Sequence, residues 1–243
     1  VPPFDDTHRT VIGYHGTTLS AALRVVNRLA PFRASDRDYD WLGRGIYFWE
    51  YAPRQALKWA RVRQRQLAKK KNKTPEEAMR ATEPLAVIAS MIRLGNCFDL
   101  LDPGNVEELR DAFRDYHEAK QLAGETVPSN ARQYRKLDCD VFEYTYNVIA
   151  NSEGGLPVDT SRSVYVPTGG KKRLWQGSWI SSDVHIQLCV RNPRNVLGSW
   201  LHTPESLEAR QIYESLENSG IDITHDDSQG LRPLPEDVNG TED

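Results

Sequence analysis

Three stretches of this chain carry side chains whose type and spacing suit ligand chemistry. Val11-Ile12-Gly13-Tyr14-His15 is built of strand formers and runs into Gly16, Thr17 and Thr18. An imidazole offers one donor and one acceptor nitrogen, and the threonines add hydroxyls, either of which can cap a following helix. Gly16 has no Cβ, which lets a ligand come close to the backbone. Gly43 and Gly45 do the same before Ile46-Tyr47-Phe48-Trp49, a run of β-formers that presents the Tyr47 ring. Late in the chain, Val184-His185-Ile186-Gln187-Leu188-Cys189-Val190 alternates as a strand and puts His185 and Gln187 on one face, with Asp183 joining them if the strand starts that early.

His15-Gly16-Thr17 followed by G-R-G-I-Y-F at 43–48 resembles the ADP-ribosyltransferase superfamily of the diphtheria-toxin and poly(ADP-ribose)-polymerase type. The resemblance implies an α+β fold, with ADP-ribosyltransferase-like split mixed/antiparallel β-sheets, flanking helices and, here, a helical insertion. It implies NAD as the ADP-ribose donor substrate, with no metal. His15, Gly16 and Thr17 would hold its nicotinamide and adenosine-side ribose, and Tyr47 would lie against the nicotinamide. Trp59 would be a second aromatic sandwiching that ring, with one inserted residue relative to the family spacing. An aromatic at helical spacing suits a plain core equally well.

The family completes its site with a glutamate at the start of a late strand, and Gln187-Leu188-Cys189-Val190-Arg191-Asn192-Pro193 puts Gln187 there. The catalytic set implied is His15, Tyr47 and Gln187. Breaking the nicotinamide–ribose bond develops positive charge on the ribose, which a carboxylate at the 2′-hydroxyl stabilises. Glutamine accepts the same hydrogen bond without the charge. Losing such a preorganised partner typically costs about 2.7–4 kcal/mol of barrier. Asp183 and His185 are its candidate helpers. The departure argues against building poly(ADP-ribose) chains. It leaves mono-ADP-ribosyl transfer to a macromolecular acceptor, with RNA or DNA slightly favoured over protein, similar in kind to bacterial toxins, effectors or phage-defence enzymes. An antitoxin or inhibitor protein belongs to that picture. Two other readings stay open. One is a catalytically weak NAD- or ADP-ribose-binding module. The other is a nucleic-acid-binding protein in which H-G-T and GIYF are structural: two buried strands, a satisfied histidine and a core tyrosine.

The elements that must position these residues follow from periodicity. Leu19, Ala22, Leu23, Val26 and Leu29 predict a helix over 18–29, stopped by Pro31. Arg33 and Arg37 lie in a loop that covers the dinucleotide in the resembled family. Pro53 opens a helix with Ala56, Trp59 and Ala60 on one face. Its other face carries Arg54, Lys58, Arg61 and Arg65 and runs into Lys69-Lys70-Lys71, either an anion footprint or a solvated helix end. Thr74-Pro75-Glu76-Glu77 starts another helix. Residues 85–94 read as a central strand, and 105–152 as a helical insertion. Lys171-Lys172-Arg173 beside Trp175 and Trp179 reads as a second nucleic-acid footprint, although the tryptophans suit a core equally well. Strands at 184–190 and 195–200 predict a terminal hairpin. A last helix is expected from Pro204 to Leu216, closing a single domain over 1–218, with a loose acidic tail over 219–243.

At 243 residues the chain can bury a real core. No apolar run approaches a bilayer span and no signal-peptide pattern opens it, so no membrane role is expected. Cys97, Cys139 and Cys189 are scattered and read as reduced thiols of a cytoplasmic protein. The net charge of −3 argues against blanket electrostatic binding to nucleic acid and points any such contact to a local patch.

Overall fold

The structure, a computed structural model, describes residues 9–37, 40–131, 134–166 and 173–202. Among these residues seven strands form one mixed sheet: β1 (Thr10–Thr18), β2 (Ile46–Glu50), β3 (Leu85–Arg93), β4 (Cys97–Asp99), β5 (Thr160–Tyr165), β6 (His185–Val190) and β7 (Val196–Leu201). Their spatial order is β4-β5-β6-β2-β1-β3-β7, and every neighbouring pair is antiparallel except β4–β5. Among the described residues five helices flank it: α1 (Leu19–Val26), α2 (Pro53–Lys69), α3 (Pro75–Arg80), α4 (Pro103–Leu122) and α5 (Lys136–Asn151). The fold is α+β.

The sheet is continuous, but its middle seam is narrow. β1 pairs with β3 from Thr10–Arg93 to Thr18–Leu85, and β2 with β6 along all of its length. β1 meets β2 only at Gly13–Glu50 and Tyr14–Trp49. Alternation sends Tyr47, Trp49, Val87 and Cys189 to one face, where Ala56 and Trp59 of α2 and Phe142 and Tyr146 of α5 cover them. Ile46, Phe48, Leu188 and Val190 go to the other face and share a cluster with Val11 and Ile92 from across the seam. Leu19 and Ala22 of α1 close that side over Ala86 and Ile88.

The terminal hairpin does not form. Residues 185–190 and 196–201 are strands, but β7 pairs with β3 and β6 with β2. Pro193–Asn195 makes one 3₁₀ turn between them, and the Asn195 amide donates to the Arg93 carbonyl at 3.0 Å, steering the chain to the outer edge of β3. The long apolar β3 needs a partner on that edge, which local hairpin patterning does not register.

α1 is shorter than expected because Arg28 adopts φ +61, and the Leu29 and Ala30 N–H groups turn back to the Arg24 carbonyl. Its start is capped from outside: Thr18 makes no side-chain cap, and Glu83 accepts from the Ser20 N–H at 2.6 Å. Thr74 and Glu77 do form the expected capping box on α3. The two helices of the insertion, α4 and α5, pack on each other, and α5 enters the main core through Phe142 and Tyr146. Arg162 on β5 bridges Glu50 on β2 at 2.8 Å and Asp99 on β4 at 3.0 Å, all three buried. Breaking such a pair would strand a buried charge and cost about 3–5 kcal/mol.

The expected helix from Pro204, the acidic tail, Lys171 and Lys172 lie outside the described residues. Among the described residues no helix is long and apolar enough to cross a membrane.

Candidate active site

The H-G-T and G-x-G-I-Y-F stretches meet where the sheet divides. The Tyr51 N–H donates to the Ile12 carbonyl at 3.0 Å, so Ile12, and with it Tyr14 and Gly16, aims its peptide groups towards β2. In the register of Gly13–Glu50 and Tyr14–Trp49, Gly16 would next fall opposite Tyr47. The ladder stops short of that pair. The Tyr47 carbonyl takes its hydrogen bond from the His15 ring instead, Nδ1 to O at 3.0 Å. A carbonyl only accepts, so His15 carries its proton on Nδ1 and leaves the Nε2 lone pair as an acceptor. Phe32 and Phe48 hold the ring edge-to-face at 5.4 and 5.7 Å. Burial lowers its pKa to about 4, so His15 is neutral at pH 7.

The glycines of both motifs serve packing within the protein. A Cβ on Gly16 would lie 2.0 Å from the Ala56 carbonyl oxygen, so its missing side chain admits α2 and not a ligand, contrary to the expectation from sequence. Gly43, at φ +77, clears Glu143 and Tyr146 of α5, and Gly45 clears Cys189 and the Val190 carbonyl. Tyr47 is 3% exposed; its hydroxyl donates to the Gly43 carbonyl at 2.7 Å and accepts from the Leu42 N–H at 3.0 Å. Burial raises its pKa well above the usual phenol value. Its ring packs in the core cluster with Trp59, which is fully buried and lies against Trp49 at 6.0 Å between ring centres. Tyr47, Trp59 and Gln187 thus share one face of the sheet, while the His15 ring sits on the Phe48 side of the fork.

Gln187 is 2% exposed and held at both ends. Its Oε1 accepts from Trp41 Nε1–H at 2.6 Å, and its Nε2 lies 3.2 Å from His185 Nε2. His185 Nδ1 lies 2.5 Å from the Asp183 carbonyl, so that nitrogen is the donor and Nε2 accepts from Gln187. The chain of donors runs one way: Trp41 to Gln187 to His185 to the Asp183 carbonyl. Burial lowers the His185 pKa, which suits a neutral acceptor ring, and Tyr165 stacks on it at 4.9 Å. The Asp183 carboxylate points elsewhere, to Lys58 Nζ at 2.6 Å. His185 therefore orients Gln187 directly, whereas Asp183 does so through its backbone. Trp41 gave no sequence signal beyond preceding L-G-R-G.

A cleft of about 760 Å³ opens at the end of β1, between α1 with the 29–33 segment on one side and α2 with α3 on the other. His15, Gly16 and Thr17 contribute to its lining, as do Arg24, Arg33, Arg63, Lys70 and Arg80. Among the described residues that line it Glu77 is the one carboxylate, against four arginines and Lys70, so this part of the wall is cationic. Its volume falls in the range usual for small-molecule sites. Arg63, Gln64 and Arg80 were missed in the sequence because only the packing of α2 on α3 brings them beside the H-G-T strand.

The α2 lysine run behaves as a helix end: Lys73 donates to the Ala68 and Lys70 carbonyls, and Lys70 pairs with Glu77. Beyond β5, Arg173 pairs with Ser181 in an isolated bridge, and Trp175 and Trp179 are exposed, Trp179 almost completely. All three thiols have raised pKa values through burial, Cys97 to about 11 and Cys139 to about 12, so none is a thiolate nucleophile at pH 7. Among the described residues no three His, Cys, Asp or Glu side chains gather as a metal site. No family model, curated protein or solved structure matches this chain.

Proposed function

We propose that the chain is a mono-ADP-ribosyltransferase that binds NAD at the fork between β1 and β2. The observation that carries this reading is the H-G-T strand end lying in a cationic cleft beside an open ladder position. Gly16 aims an N–H and a C=O into the fork, and a carboxamide such as that of nicotinamide matches a donor–acceptor pair of this kind. The bare Nε2 of His15 suits a ribose hydroxyl, and the arginines suit the pyrophosphate. Reaction breaks the bond from ribose C1′ to nicotinamide, whose nitrogen keeps the electron pair. The acceptor then bonds C1′ and gives up its proton. Gln187 contributes an uncharged oxygen with one lone pair used by Trp41. Positioning is therefore left to supply more of the rate than charge.

RNA or DNA is the acceptor we favour, on the strength of exposed Trp175 and Trp179 beside Arg173. The test is nicotinamide release from labelled NAD, with transfer to RNA, DNA and lysate protein compared at low and raised salt. Release that is lost in His15→Ala supports the reading, and label on protein alone would sink the nucleic-acid acceptor. The burial of Tyr47 and Gln187 favours a second reading, an NAD- or ADP-ribose-binding module. It predicts binding without release.

A further inference from the structure

The charge of this chain is divided. Residues 203–243 hold eleven carboxylates and two arginines, a net charge of −9. The whole chain is at −3, so residues 1–202 stand at +6. Much of that excess lines one place, the cleft walled by Arg24, Arg33, Arg63, Lys70 and Arg80.

The described chain also ends beside that cleft. Leu201 on β7 pairs with Ile88, which lines it, and packs against the α1 cluster. The His202 N–H donates to the Val87 carbonyl at 2.9 Å, and Val87 is the β3 partner of Gly16. His202 therefore lies two strands from the H-G-T motif, and the 41 residues that follow it have ample reach, at roughly 3.3 Å per residue, to cross the cleft.

We propose that the cationic cleft is a docking surface for acidic peptide, and that its occupant is residues 203–243 of the same chain. A tethered segment acts at an effective concentration in the millimolar range, so modest intrinsic affinity suffices. Docked there, its carboxylates hold the positions that an anionic ligand needs. This inference uses the cleft of the proposed function but requires only that the cleft take carboxylates.

Two measurements on the full chain test it. Carbodiimide joins a carboxylate to a neighbouring lysine amine with loss of water, and the joined peptides are mapped in dilute solution. Carboxylates of 203–243 should join to Lys69, Lys70, Lys71 or Lys73, and the products should fade at high salt. The second compares inorganic pyrophosphate binding with a full-length variant carrying Glu205→Gln, Glu208→Gln, Glu214→Gln, Glu217→Gln, Asp222→Asn, Asp226→Asn and Asp227→Asn. A segment docked nine-tenths of the time weakens apparent affinity about tenfold, so the variant should bind about tenfold tighter at low salt. No joining to these lysines together with equal pyrophosphate affinity would overturn the inference. Joining and tighter pyrophosphate binding without any NAD turnover would uphold it and sink the transferase reading.

Discussion

The two sides of the fork differ in what they leave open. At His15 a neutral ring uses Nδ1 on the Tyr47 carbonyl and keeps Nε2 for the cleft. At Gln187 the amide is 2% exposed, and its two polar atoms already have partners in Trp41 and His185. The first region is open to the cleft; the second is a positioned but closed group. A ligand that spans both must displace Trp41 or draw the fork apart, and the two-pair seam between β1 and β2 is the weakest join available for that.

The largest expected effect is on the closed side. Tyr47→Ala should destabilise the fold by about 3–5 kcal/mol, as emptying a large aromatic site usually does. Tyr47→Phe keeps the ring but leaves the Leu42 N–H without a partner and the Gly43 carbonyl with only the weak Cys189 S–H donor, at about 1–3 kcal/mol. Urea titration of both variants checks this. If Tyr47→Ala folds as well as wild type, Tyr47 is a ligand-facing ring after all and the comparison fails.

On the open side, His15 shapes the acid limb of stability. Its pKa is lowered to about 4 when folded and near 6.5 when unfolded. Above pH 6.5 both states are neutral there and the group has no effect. As pH falls from 6.5 to 4 only the unfolded state gains the proton, so stability falls, by no more than about 3 kcal/mol. His185 slopes the same way, since its pKa is also lowered. His15→Asn should remove the His15 share and leave the His185 share. Parallel acid limbs in the two proteins would show that His15 is not buried neutral.

Gln187→Glu sharpens the comparison. A carboxylate has no hydrogen to give His185 Nε2, so the two lone pairs oppose each other unless His185 takes a proton. We expect the His185 pKa to rise and stability at pH 7 to fall by about 1–3 kcal/mol, read by ring NMR titration and urea unfolding. An unmoved His185 would mean that the donor chain runs differently. The smallest effect belongs to the cleft wall: Arg63→Gln should weaken NAD binding about threefold, with the loss shrinking at raised salt.

Much of this was legible in sequence, and the losses have physical causes. Runs of β-formers marked β1 and β2, the apolar run at 85–94 marked β3, and alternation at 184–190 with the return at 195–200 marked β6 and β7, because composition and alternation are local. Who pairs with β7 was not legible, because pairing depends on which edge remains open. The H-G-T and G-I-Y-F motifs pointed to one place in the fold, and their strands do adjoin: they pair at Gly13–Glu50 and Tyr14–Trp49, and the His15 ring reaches the Tyr47 carbonyl. What each glycine clears was misread, since a missing Cβ admits a helix carbonyl as readily as a ligand. Gly16 against Ala56 and Gly43 against α5 are such cases. The cleft arginines come from α1, the 29–33 segment, α2 and α3, and no spacing along the chain links them.

The most direct measurement is ring ¹⁵N NMR of the histidines while NAD is added to the full chain. His15 Nε2 should shift as it accepts a ribose hydroxyl while Nδ1 keeps its proton on the Tyr47 carbonyl. A His15 ring untouched at NAD concentrations that saturate the protein would contradict the placement of the site at this fork.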